Sequence, residues 1–69
     1  MIKYTKHAIH QMYTRGITRA TAEYAIANGV QLVNRTDSNK WTYVDNTNKV
    51  YVVTNKESNI VITAFKKER

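Results

Sequence analysis

The chain holds no cysteine and no proline in its 69 residues, and only two glycines. Without cysteine there is no disulfide and no zinc thiolate to staple the fold, so stability must come from an apolar core, and thiol chemistry is excluded. Nothing requires an oxidising compartment, and a cytoplasmic location is expected. Gly16 and Gly29 cannot make a Gly-rich phosphate loop, and no local motif suggests a Ser-His-Asp set. Acids are scarce as well: Asp37 and Asp45 bracket a strand end and read as turn formers, which leaves no carboxylate pair for two-metal chemistry. The longest apolar runs, such as 50–53, fall far below the roughly 18 residues of a membrane span. The start lacks the basic-then-apolar layout of a signal peptide, so neither membrane association nor signal-directed export is expected.

What is present belongs to a folded chain. The hydrophobic share of 42 % is too high for the disordered class, and at this length one domain, 1–69, buries only about 60 % of its unfolded surface. Eleven Lys and Arg against five Asp and Glu give +6 at neutral pH. The excess is uneven, with Lys3, Lys6, Arg15 and Arg19 and no acid in 1–22, and Lys66, Lys67 and Arg69 in the tail. Both clusters suit a phosphate-rich partner, although net charge of this size also serves solubility.

The fold class read from the pattern is α+β, two N-terminal helices packed on a four-stranded antiparallel β-meander. Thr5 can cap a helix over 6–15 that ends at Gly16, and Thr18 a second over 19–28 that stops at Asn28-Gly29. Apolar and β-branched stretches at 30–35, 40–45, 49–55 and 59–66 read as strands, and their short polar connectors read as hairpin turns. Strict alternation in the last strand puts Ile60, Ile62 and Ala64 on one face and Val61, Thr63 and Phe65 on the other. One sheet face is then left bearing some of Val33, Trp41, Tyr43, Tyr51, Val53, Val61 and Phe65, and a homodimer is expected to cover it, the alternative being the C-terminal tail or an RNA ligand.

Drawn as a wheel, the first helix carries Ala8, Ile9, Met12 and Tyr13 as an inward stripe, with His7, Gln11, Thr14 and Arg15 as a polar stripe beside it. A His and an Arg two turns apart can address one phosphodiester, the imidazole moving protons and the guanidinium holding charge that develops on phosphorus. The same residues also fit plainer roles, His7 as a local cap and Arg15 as a solvated helix-end cation. His7 and His10 lack a third ligand for a metal, and no cofactor is expected. Trp41 and Tyr43 share a strand face and could stack on bases, or pack across strands. Lys6, Gln11, Arg19 and Lys66 complete the candidate phosphate contacts.

The run Tyr4-Thr5-Lys6-His7-Ala8, then Gln11-Met12 and Arg15-Gly16-Ile17-Thr18, resembles the signature of a family of small bacterial and phage domains of unknown function. The resemblance continues through Ala25-Ile26-Ala27-Asn28-Gly29 and Asn59-Ile60-Val61-Ile62-Thr63. That family is placed with the barnase–EndoU–colicin–RelE group of metal-free ribonuclease toxins, built of N-terminal helices on a four-stranded antiparallel sheet. The resemblance implies that His7, Arg15 and Thr63 are the site residues, with Gln11 standing where many members carry Arg. It implies a small ribonuclease or ribonuclease-like toxin acting on RNA, with an acidic antitoxin as partner. The competing expectation is a non-enzymatic phage or mobile-element protein that inhibits a host factor or sequesters a nucleotide through the same anion pocket.

Overall fold

The structure is a computed structural model that describes residues 2–33 and 39–66. Its elements are β1 (Lys3–Tyr4), α1 (Lys6–Arg15), α2 (Arg19–Asn28), β2 (Val30–Val33), β3 (Lys40–Asp45), β4 (Val50–Asn55) and β5 (Ile60–Lys66). Both helices begin and end where their caps predict. The Thr5 hydroxyl oxygen accepts from the Ala8 amide at 3.0 Å, and that of Thr18 from the Thr21 amide at 3.1 Å. Gly16, at φ 69°, closes α1 while the Ile17 amide reaches back to the Met12 carbonyl at 2.8 Å, a left-handed ending that favours glycine. Gly29 ends α2 for a different reason. Its φ of −78° is ordinary, but a Cβ there would lie 2.5 Å from the Ala25 carbonyl oxygen and 2.7 Å from that of Val44.

The sheet has five strands in the order β1-β5-β4-β3-β2 and is mixed, which corrects the four-stranded antiparallel meander. The hairpins β2–β3, β3–β4 and β4–β5 pair antiparallel as expected, whereas β1 pairs parallel with β5, Lys3 opposite Ile60 and Tyr4 opposite Val61. Two residues are too few to show alternation, and a parallel pairing between chain ends has no turn signal in sequence. Strand starts also shift. Lys49 (φ 56°) and Ser58 (φ 59°) hold left-handed turn positions, so β4 and β5 begin later than 49 and 59. Asp45 is the turn former expected of it, its carboxylate accepting from the amide of Thr47 at 2.9 Å and from the Asn48 side chain at 2.8 Å. Asp37, the end of the 30–35 strand, the 36–38 part of the connector, and Lys67 and Arg69 lie outside the described residues.

Ala8, Met12, Ile17, Ala22 and Ala25 from the helical side bury against Tyr43, Val50, Val52, Val61 and Ala64 of the sheet. Small helix residues let both helices approach the strands closely. The alternation expected of β5 fails at one point. Val53 pairs with Thr63 but Thr54 with Val61, so the register slips by one residue, and Val61 and Ala64 are both fully buried in the same core. Thr5 is bonded at this bulge. Its amide donates to the Val61 carbonyl at 3.0 Å and its hydroxyl to that of Ile62 at 2.9 Å.

The assignment of the uncovered face is corrected in part. Tyr43 and Val61 are core residues, Trp41 packs against the core, and Val33 lies opposite Trp41 on that side. Tyr51, Val53 and Phe65 do face away from the helices, joined by Val30, Leu32 and Val44 of the neighbouring strands. Tyr51 and Phe65 meet edge to face at 5.1 Å.

Candidate functional site

α1 turns Ala8 and Met12 into the core and exposes its two flanks. On one flank stand His7, Gln11 and Arg15, at spacing four and four. His7 and Arg15 are exposed and Gln11 half-buried. At 1.5 Å of rise per residue the backbones of His7 and Arg15 are about 12 Å apart, too far for short side chains to share a phosphate. Arg15 shortens the gap by turning back along the helix, its Nε donating to Gln11 Oε1 at 3.0 Å. The glutamine that replaces the expected arginine therefore orients the one that remains. Thr14 does not join this flank as a free donor, because its hydroxyl donates to the carbonyls of His10 and Gln11 at 3.0 and 3.1 Å.

The remaining sequence candidates are spread over the molecule. Lys6 is exposed beside His7 in the first turn of α1, and Lys66 is exposed at the end of β5. Thr63 precedes the buried Ala64 and pairs with Val53, which places it on the sheet face away from α1. It does not share a pocket with the His7 flank. Trp41 and Tyr43 share a face, as alternation requires, and it is the helix-covered one, so of the two roles left open for these rings, stacking on bases or packing, they take packing here. Tyr43 is 5 % exposed, its hydroxyl accepting from Gln31 Nε2 at 2.8 Å and lying 2.5 Å from the Ser58 hydroxyl. Trp41 Nε1 donates to the Lys56 carbonyl at 2.9 Å.

Ile9 and Tyr13, expected inside, are 50 % and 86 % exposed on the opposite flank of α1. There they line a cleft of about 190 Å³ with Tyr4, Met12, Ile17 and Arg19. The Arg19 guanidinium lies over the Tyr4 ring, 5.4 Å from its centroid, and the Tyr4 hydroxyl donates to Glu23 Oε2 at 2.8 Å. Burial first, then the hydrogen bond and charge of Glu23, push the Tyr4 hydroxyl pKa up to about 12, while Arg19 opposes the rise. Of the residues lining this cleft, only Arg19 is a candidate site residue from sequence. One signal was available: Tyr4 precedes the Thr5 cap and Ile9 is the fourth helical residue, the two positions of a hydrophobic staple.

A family model described as a domain of unknown function (DUF4258) matches residues 4–66. The chain belongs to this family. No curated protein and no solved structure matches it. The match begins at Tyr4 of the cleft and ends at Lys66 of β5, so both flanks of α1 lie within the DUF4258 domain. Among its described residues no three His, Cys, Asp or Glu side chains are grouped to hold a metal ion.

Proposed function

We propose that this DUF4258 chain is a small metal-free ribonuclease that cleaves RNA phosphodiesters on the His7 flank of α1. The observation that carries the reading is the Arg15–Gln11 hydrogen bond, which turns the guanidinium toward His7 on an open surface of a chain with net charge +6. His7 takes the proton from a ribose 2′-hydroxyl as its oxygen attacks phosphorus, or gives one to the departing 5′-oxygen. Arg15 holds the negative charge on the non-bridging oxygens, where a fixed charge-assisted donor acts most strongly. Lys6, Arg19 and Lys66 draw the backbone in from longer range. The resemblance to the barnase–EndoU–colicin–RelE group supports the same chemistry. Thr63, on the far face, has no part in it.

The test is incubation with tRNA and total RNA in excess chelator. Cleavage is expected, with a loss of about 10²–10⁴ in rate in His7→Ala. Intact RNA at high protein excess, or equal cutting by the variant, rejects the reading.

A second reading has its own observation. Among the described residues no carboxylate is hydrogen-bonded to His7, and an anion-binding protein without catalysis needs none. In that case the flank holds a nucleotide or a host factor, and expression in a bacterial cell without an acidic neutralising partner is harmless.

A further inference from the structure

The proposed function places its chemistry on one flank of α1, and of the cleft on the other it uses only the charge of Arg19. Met12 and Ile17 form its buried floor, Ile9 a wall, and Tyr13 and Arg19 an exposed rim beside Tyr4. We propose that this cleft binds one nucleotide, its base against the apolar floor beside the Tyr13 ring and its phosphate on Arg19.

Three observations converge on that chemistry. First, about 190 Å³ is below the roughly 300–1,000 Å³ of a drug-sized site, so the cleft takes a single ring system and not a dinucleotide. Second, its surfaces are those that planar bases use: an apolar floor, a phenol ring left 86 % exposed, and a flat guanidinium. Third, the Arg19 guanidinium lies over the Tyr4 ring while the Glu23 carboxylate accepts from the Tyr4 hydroxyl, and Arg19 opens α2. The first turn of α2 holds no acid, so the helix end adds to the arginine's attraction for a phosphate. An aliphatic ligand would leave Arg19 unused, and bare phosphate would leave the apolar floor and Tyr13 unused. This deepens the proposed function by naming what is bound besides the phosphate that is cut. It rests on that reading's affinity for nucleotides, not on the cleavage step.

The test titrates the isotope-labelled full chain with AMP, ribose 5-phosphate and a four-nucleotide RNA, following backbone amides by NMR. AMP is expected to move Ile9, Tyr13, Ile17 and Arg19, and to bind about tenfold more tightly than ribose 5-phosphate, the value of one stacked base. Tyr13→Ala, at a position too exposed to affect folding, should weaken AMP but not ribose 5-phosphate, and Tyr13→Phe should restore it. Tighter binding of the RNA than of AMP at the same amides identifies an RNA chain as the source of the nucleotide. Equal binding identifies a free nucleotide. Equal affinities for AMP and ribose 5-phosphate, AMP shifts confined to His7, Gln11 and Arg15, or no binding at all overturn the proposal. RNA left uncut while AMP fills the cleft rejects the cleavage reading alone.

Discussion

Tyr4 joins three parts of the molecule: it is paired with Val61 in the sheet, bonded to Glu23 of α2, and stacked under Arg19. Its hydroxyl pKa of about 12 against an ordinary 10 means that the folded chain holds the phenolic proton more tightly than the unfolded one. A folded pKa raised above the unfolded value gives stability that is fully present below pH 10 and lost as pH rises through about 12. In an alkaline titration followed by phenolate absorbance, a step for Tyr4 is therefore expected near pH 12. Glu23→Gln should bring that step down, because the carboxylate supplies both the acceptor and the repelling charge. A parent protein with no phenolate step near pH 12, or a Glu23→Gln variant whose step stays where the parent's is, would contradict this account. The sequence shows Tyr4 and Glu23 but not their meeting, since residues 19 apart in sequence make contact only through the turn between the helices.

At the scale of elements, Thr5 does more than end a loop. It caps α1 through Ala8 and ties α1 to the β5 bulge through Val61 and Ile62. Loss of the cap costs about 1 kcal/mol. Loss of the Ile62 bond adds about 0.5–1.5 kcal/mol. At ~4–8 °C per kcal/mol for a domain this small, Thr5→Ala is expected to lower Tm by about 10 °C, with Thr5→Ser close to the parent. A calorimetric scan in which Thr5→Ala melts with the parent would show that the bulge holds α1 without it. The same elements show what local sequence encodes. Both helices were legible to the residue because Thr5, Gly16 and Thr18 satisfy helix ends chemically. The bulge was not, because it answers to Thr5, more than fifty residues away. Alternation placed Trp41 and Tyr43 together, yet it is silent on which sheet face the helices cover. The wheel put Ile9 and Tyr13 inside because it assumes a wide apolar stripe, whereas Ala8 and Met12 alone reach the core from α1. For the site, the His7, Gln11 and Arg15 flank is legible from helical spacing, while the cleft needs Tyr4 and Arg19 brought in by β1 and α2.

For the molecule as a whole, the telling feature is where the sheet stops. β2 is the outermost strand, pairs only with β3 among the described residues, and is exposed along its whole length. Val30, Leu32 and Val33 are 54, 49 and 58 % exposed, and the strand carries no charge and no proline, the usual protections of an open edge. Val30 and Leu32 also extend the apolar face that includes Tyr51 and Phe65. Two copies related by a two-fold axis can pair β2 with β2 antiparallel, since such an interface is self-complementary, and so continue both the hydrogen-bond ladder and this face. The +6 charge of each chain opposes association weakly, because screening acts over about 8 Å at physiological ionic strength. The expected state is thus a homodimer. Light scattering should give a mass that rises from 8.0 kDa toward twice that value with concentration. Leu32→Lys, which places a charge on the joint of edge and face, should hold the mass at that of one chain. A parent protein that stays at 8.0 kDa at every concentration and salt level would mean that the edge is left open in the native state.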